Sequence, residues 1–460
     1  MTDISPVLTS TANRAAKRPA PSLQRVAFKT SRLAEFCGEK ELVAQTGQNK
    51  DVWPLVILKE LADNAIDEAE EAGIAPEIRI EVSTEPCEIT ITDNGRGIPA
   101  ETVETMLDYT VRVSSREAYV SPTRGAQGNA LKCIVAMGFA LDGVNGMTLV
   151  ESLGCAHRIV FEIDPVRREP RITHGTASSL VKTGTRITVR WPDSACSILE
   201  DAKPRFLQIA ADFTWLNPHL SLFASWNGEA CIMGEASDPG WGEKKWRACD
   251  PTSAHWYDAD RFTRYIAAHI ARDQDHGQDH TVREFIAELR GLTGSVKQKA
   301  VLDEVGASRT SLSAFFAEGK NPDGIARLLA ACQKHTRPVK PAELGYIGEA
   351  HLRQTLLTLG AQEGMIKYKK KALTHPDGMP CVIETAFGWR PNANDRRIVV
   401  GVNWSAAIGN PFPSLGSYSK SLSSILADQR AQHHEPIVFV LHYTCPRVQF
   451  VDRGKSAVRL

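Results

Sequence analysis

The sequence predicts an α/β protein: an α+β sandwich, then a helical stretch, then a second α/β unit. Three observations predict it. An amphipathic helical pattern leads into strands that alternate apolar and polar residues; helical patterns broken by Gly, Asn and Asp turns fill the middle; strand patterns return near the end. The length agrees, since 460 residues at roughly 150 per domain make about three units. A hydrophobic fraction of 42% with 23% charged residues is enough for packed cores and excludes wholesale disorder. Lys+Arg and Asp+Glu are both 54. Bulk positive charge therefore cannot hold nucleic acid, although a local basic patch still can.

Residues 1–30 form a basic N-terminal tail. Across 1–32, Arg14, Lys17, Arg18, Arg25, Lys29 and Arg32 stand against Asp3 alone. This reads as a solvated tail or as a contact to phosphate backbone. In VWPLVILKELADNAIDEAEEAG, Leu55, Leu58, Ala62, Ile66 and Ala69 recur at helical spacing, and Gly73 is a stop signal. EIRIEVS and CEITITDNG alternate as strands, TVETMLDYT reads as a short helix, and RGAQGNALKCIVAMGFAL as a helix entered through a glycine loop. MTLVESL, HRIVFEID, RITHGTAS and TRITVRW are further strands of a mostly antiparallel sheet. Helical patterns then run from DRFTRYIAAHIARD to NPDGIARLLAAC, and CVIETAFGWR, RRIVVGVNW and PIVFVLHY are the late strands. These readings place units at 49–222, 223–345 and 346–460. Ten cysteines without a CxxC pair read as reduced structural thiols. No run approaches the roughly 18 apolar residues of a membrane span, and MTDISPVLTS lacks a secretory pattern. The expectation is a cytoplasmic protein with no membrane partner.

Three motifs carry chemistry. A four-residue step puts Glu60 and Asn64 on one helix face, with Asp67 close to it. Hard oxygen ligands suit Mg²⁺, which takes few protein ligands plus substrate phosphates, and a neighbouring carboxylate can orient water. Surface solvation, or pairing with Lys59, is the plainer reading of the same residues. Next, Asp93-Asn94-Gly95-Arg96-Gly97-Ile98 follows a strand. Asp93 can accept from an exocyclic amino group while Gly95 and Gly97 let the backbone approach a flat ring; an ordinary strand-ending turn fits too. Last, Arg124-Gly125-Ala126-Gln127-Gly128-Asn129-Ala130 precedes an apolar helix, where backbone N–H groups can cradle phosphate. It lacks the GK[ST] ending of a Walker A loop. Lys132 lies too far into the helix to be assigned to phosphate.

The three in this order resemble the Bergerat-type ATP-binding fold shared by DNA gyrase B, Hsp90, sensor histidine kinases and MutL. The family's E-x-x-x-N becomes Glu60 and Asn64, its D-x-G-x-G becomes Asp93, Gly95 and Gly97, and its lid becomes Gly125 and Gly128, with Ala130 replacing the third lid glycine. Thr185 in GTRITVRW resembles the late residue near adenine. The resemblance implies ATP and Mg²⁺ as cofactors. It further implies Glu60 as the catalytic carboxylate and Asn64 as the Mg²⁺ ligand. By the same resemblance, Asp67, Asp93, Gly95, Gly97, Ile98, Arg124, Gly125, Gln127, Gly128, Asn129 and Thr185 are expected to surround the nucleotide. No phosphoacceptor-histidine helix stands out: His255, His269, His276 and His280 read as structural or surface residues.

Beyond the nucleotide unit, TSRLAEFCGEKELVAQTG resembles the strap at 31–48 of the ATPase subunits of type IIB topoisomerases, the topoisomerase VI group. GLTGSVKQKAVLDEVG resembles its helix–two-turn–helix insert, and RIVVGVNWSAAIGNPF its transducer. RVQFVDRGKSAV resembles the loop that delivers a lysine to the γ-phosphate, here Lys455. This implies a homodimer closed by ATP, a DNA-cleaving A-like subunit as partner, and double-stranded DNA held through its backbone. No tyrosine assignable to cleavage is visible, and the chain stops soon after Lys455, so DNA cleavage by this chain alone is not expected. The alternative is a stand-alone ATP-dependent clamp or switch in DNA repair, chromosome maintenance or foreign-DNA defence. Arg283, Arg290, Lys297 and Lys299, with Lys367, Lys369, Lys370 and Lys371, are the candidate backbone contacts.

Overall fold

The computed structural model describes residues 33–109, 118–124, 130–164, 166, 169–415, 420–450 and 457–459. The basic tail, Gly125, Gln127, Gly128, Asn129 and Lys455 lie outside the described residues.

Helix α1 (Glu39–Thr46) precedes α2 (Trp53–Ala72). Pro54 sits in the first turn of α2, where its missing N–H costs nothing, and Gly73 ends the helix in the left-handed region at φ 71°. Strands β1 (Glu77–Thr84) and β2 (Cys87–Asp93) follow, then α3 (Ala100–Met106), α4 (Ala130–Asp142), β3 (Asn145–Ser152), β4 (Cys155–Ile163), β5 (Pro170–Ser178) and β6 (Thr185–Arg190). After α5 (Cys196–Leu216) come β7 (Ser221–Trp226) and β8 (Glu229–Gly234). The eight strands form one sheet ordered β5-β4-β3-β6-β2-β1-β7-β8. Its ladders are antiparallel except β1 with β7.

The alternation read in β1 is the reason for a layered fold. Ile78, Ile80 and Val82 are buried, whereas Arg79 and Glu81 are exposed. Helices α2, α4 and α5 cover the apolar face and share one core with it. Two features lie beyond the sequence reading. Helix α5 carries Pro204 in its interior, a residue that ordinarily breaks helices. The β7–β8 hairpin extends the sheet to Gly234, so a division at 222 falls inside β7.

The middle of the chain is helical, with α6 (Ala259–Asp275), α7 (Val282–Ala287), α8 (Ser295–Val305), α9 (Leu312–Phe316) and α10 (Pro322–His335). Helix α11 (Glu349–Thr358) leads to a five-stranded sheet of β9 (Lys367–Thr374), β10 (Pro380–Trp389), β11 (Arg397–Val402), β12 (Ser405–Ala406) and β13 (Ile437–Thr444), ordered β12-β11-β13-β10-β9. Helix α11 packs on one face, where Leu356 faces Gly388. Helix α12 (Leu422–Asp428) belongs to the core on the other face with Val400 and Leu441.

The two sheets meet through α5. Arg397 bonds Asp212 at 2.7 Å, Arg205 donates to the Ile408 carbonyl at 2.8 Å, and Gly401 lies against Leu216. One expectation is corrected: Cys87 and Cys196 form a disulfide joining β2 to the start of α5, while eight other cysteines are free. The partners are 109 residues apart in sequence, so motif spacing could not pair them; the fold does. Among the described residues, no helix is long and apolar enough to cross a membrane.

Helix α4 sits unusually close to the sheet. A Cβ on Gly146 would lie 2.3 Å from the Phe139 backbone nitrogen. Gly146→Ala should therefore destabilise the protein by about 1–3 kcal/mol through overpacking, measured by denaturant unfolding.

Candidate functional site

Helix α2 has two polar faces with opposite fates. Glu60, Asn64 and Glu68 step by four residues and line one face. Asn64 is exposed and Glu60 partly so, its side chain 19% accessible. Asp63, Asp67 and Glu70 line the other face and are buried.

The open face meets the Asp93 loop. A Cβ on Gly95 would lie 3.1 Å from both Asp93 Oδ1 and Glu68 Cβ, so the loop rests on α2 one turn beyond Asn64. Arg96 clamps this contact by pairing with Glu68 at 3.2 Å and Glu71 at 2.6 Å. Asp93 Oδ1 accepts from the backbone N–H groups of Gly95 at 2.8 Å and Thr185 at 3.2 Å. Gly97 has φ +88°, and its Cβ would strike Ser152 Oγ at 2.7 Å. Ser152 Oγ accepts from the Ile98 N–H at 2.7 Å and donates to the Gly184 carbonyl at 3.0 Å. The structure thus gathers Asp93, Gly95, Gly97, Ile98 and Thr185 where β2 and β3 end and β6 begins. Ser152 and Gly184 complete the junction. Sequence reasoning passed over Ser152, which no motif marks, whereas Gly184 stood beside Thr185 in the GT pair.

Burial pushes the Asp93 carboxyl up to about 6, against the two backbone donors that pull it down, with Glu68 adding to the rise.

The buried face builds a different constellation. Arg124 donates to Asp67 at 2.7 Å, to Glu70 at 2.9 Å and to the Asn217 side chain. Lys245 reaches Glu70 at 2.6 Å and lies 4.3 Å above the Trp404 ring. His219 Nε2 is 2.9 Å from Glu70. Asp67 and Arg124, expected to lie near nucleotide, are placed by the structure with their side chains paired inside this buried cluster. Asp67 sits three residues past Asn64, about 60° round the helix on the Asp63 and Glu70 side, and Arg124 covers it there. Burial raises Glu70, but Arg124 and Lys245 outweigh it and hold the carboxyl well below the usual range. Asp67, with less cationic company, is raised by burial to about 6. Burial lowers Lys245 to about 8.

Lys132 is buried, donating to the Asp108 carbonyl at 2.7 Å and lying over the Tyr109 ring. His269 is packed between Tyr265 and Phe285, and burial lowers it to about 4. Of the basic residues, Arg283 bonds Gln298 and Arg290 pairs with Glu343. Lys367, Lys369, Lys370 and Lys371 are exposed on β9, an edge strand, with Lys370 over the Tyr346 ring.

Residues 50–195 match the family model of the histidine kinase-, DNA gyrase B- and HSP90-like ATPases. Residues 50–195 thus match an ATPase domain of this superfamily, and this supports ATP binding and hydrolysis of that general class. It is 26% identical over 196 residues to the B subunit of type 2 DNA topoisomerase 6 from Archaeoglobus fulgidus, covering 41% of this chain and 32% of that one. It is 33% identical over 164 residues to the corresponding protein of Natronomonas pharaonis, covering 34% and 20%. The matches thus span a third or less of these relatives. Among solved structures, the Aquifex aeolicus MutL ATPase domain complexed with ADP is similar over 84% of this chain and 90% of that one, at 11% identity and TM-score 0.34. The ATPase region of Saccharomyces cerevisiae topoisomerase II is similar over 88% and 75%, at 12% identity and TM-score 0.36.

Two outcomes are expected. Where Asp93 accepts from an adenine amino group, as its place in the motif implies, a carboxylate does so better than a carboxylic acid, and binding then favours the ionised form. Affinity for an ATP analogue should fall as pH drops through about 6. By calorimetry, Asp93→Asn should bind more weakly and show only the pH dependence of the phosphates. Separately, Arg124→Ala should destabilise the fold by about 3–5 kcal/mol by leaving two buried carboxylates short of charge, and Arg124→Lys should not restore it; equilibrium unfolding measures both.

Proposed function

We propose that the chain is a Mg²⁺-dependent ATPase whose ATP-driven dimer closure serves a type IIB topoisomerase-like assembly in the cytoplasm. The observation that carries it is the shared open face of Glu60 and Asn64 on α2, with the Asp93 loop seated on the same face at Glu68. A water-activating carboxylate, a metal-holding amide and a base-recognising carboxylate then border one accessible surface.

The residues fit the metal. Asn64 offers an exposed amide oxygen, and among the described residues no three His, Cys, Asp or Glu side chains form a metal-holding group. A site of one protein oxygen completed by nucleotide phosphates is the kind Mg²⁺ accepts. When bound, the ion neutralises phosphate charge as it develops. Glu60 orients and deprotonates the attacking water. Asp93 accepts from the adenine amino group, with Gly95, Gly97, Ile98 and Thr185 shaping the ring's slot. Gly125, Gln127, Gly128 and Asn129 offer backbone donors to phosphate, and Lys455 contacts the γ-phosphate. Positioning and charge stabilisation dominate such a reaction. The nucleotide unit at 49–222, the helical unit at 223–345 and the transducer-like unit at 346–460 would move as the γ-phosphate is lost. Lys367, Lys369 and Lys371 alternate onto one face of β9 and offer a track for DNA backbone phosphates. The two type 2 DNA topoisomerase 6 proteins among the relatives support this reading over other members of the superfamily.

Glu60→Ala should lower ATP turnover by at least about a hundredfold while an ATP analogue still binds. Asn64→Ala should lose the Mg²⁺ dependence of that binding. Wild-type turnover in Glu60→Ala would remove the catalytic assignment. Light-scattering mass should double when a nonhydrolysable ATP analogue is added. DNA relaxation with an A-like subunit supports the topoisomerase assembly; dimerisation without any cleaving partner supports the clamp.

A further inference from the structure

One contact on the buried face of α2 leads from the C-terminal sheet back to Glu60. Ser405, the first residue of β12, donates its hydroxyl to Asp63 Oδ2 at 2.7 Å. The Lys59 ammonium donates to the same oxygen at 2.7 Å and stands 3.6 Å from Glu60 Oε1. Lys59 is thus shared between a carboxylate that is 1% exposed and one facing the open site. Asp63 Oδ1 is buried with no hydrogen-bond partner. A buried carboxylate short of donors draws strongly on each donor it has. With the Ser405 hydroxyl in place, Asp63 does not depend on Lys59 alone, and the ammonium stays within reach of Glu60. Without it, Lys59 would be drawn more fully onto Asp63 and away from Glu60.

Ser405 is itself fixed by the core of the second sheet. It follows Trp404, whose N–H donates to His442 Nε2 at 3.1 Å. With Nε2 accepting, the imidazole proton sits on Nδ1, 3.1 Å from Glu384 Oε2. Glu384 is held by the N–H groups of Ile347 and Gly348 and by the Tyr368 hydroxyl. The contacts run unbroken from β10 and β13 through the turn before β12 to Asp63, Lys59 and Glu60.

We propose that Ser405 and Lys59 are positioning residues for Glu60: the C-terminal sheet sets the placement of the water-activating carboxylate through the Ser405–Asp63–Lys59 contacts. The proposal rests on the reading of Glu60 given above and adds what controls it. A shift of β12 away from α2 would then slow hydrolysis without touching the nucleotide pocket.

The test compares Ser405→Ala, Ser405→Thr and Glu60→Ala in the full chain by steady-state ATP hydrolysis and ATP-analogue titration. Ser405→Ala should lower kcat about five- to tenfold with KM and analogue affinity unchanged. Ser405→Thr, which keeps the hydroxyl, should restore kcat. In the Glu60→Ala background, Ser405→Ala should change the residual rate no further. If Glu60→Ala is inactive while Ser405→Ala turns over like the wild type, the positioning proposal falls and the ATPase reading stands. If Ser405→Ala and Ser405→Thr both lose analogue binding together with kcat, the serine is merely structural and the proposal is overturned. If Glu60→Ala hydrolyses at the wild-type rate, the catalytic reading falls and takes the proposal with it.

Discussion

The structure depends on burying three carboxylates along one face of a single helix. Asp63, Asp67 and Glu70 cannot remain ionised inside a protein without cations, and α2 supplies only Lys59 nearby. The rest come from distant segments: Arg124 from before the glycine loop and Lys245 from beyond the first sheet. The Ser405 hydroxyl adds a donor to Asp63, and the Asn217 amide oxygen accepts from Arg124 and holds it in place. The geometry of charge neutralisation therefore dictates where the helical stretch and the C-terminal sheet dock. Burial also ties the faces together, because the helix that presents Glu60 and Asn64 outward cannot rotate without uncovering Asp67 and Glu70.

Much of this was legible in the sequence, and the boundary of legibility is physical. Two-residue alternation identified β1 to β6 because one sheet face is buried and the other wet. Four-residue steps found Glu60 and Asn64, and the glycines at 95 and 97 marked a backbone that must turn tightly beneath a strand end. The same periodicity could not separate Asp67 from the open face, because three residues along a helix stop only about 60° short of a full turn, and it is Arg124, from elsewhere in the chain, that covers Asp67. Arg124 looked like part of a phosphate loop because its sequence neighbours are glycines, while its partners lie 54 to 93 residues away. The Cys87–Cys196 bond, Ser152 and Lys245 share that property: long-range contacts that no local spacing encodes.

The turn before β12 shows how tightly the second sheet is held against α2. Asn403 and Trp404 both have positive φ, 49° and 63°. Asparagine tolerates the left-handed region, but a tryptophan there costs about 1–2 kcal/mol. Several contacts oppose that cost. The Trp404 ring is fully buried between Lys245, Trp241 and His442. The Trp404 backbone N–H donates to His442, and its carbonyl accepts from Asn217 at 2.9 Å. The Asn403 side chain closes the turn onto the backbone of Cys445 in both directions. A conformation disfavoured locally and fixed from four directions persists only where its surroundings over-determine it. Trp404 places a ring against the ion cluster and Ser405 places a hydroxyl on Asp63, so one strained turn touches both ends of the buried face. A rigid corner in that position transmits displacement of the sheet to α2 instead of absorbing it, and this is the mechanical property that coupling between the C-terminal unit and the Glu60 face requires.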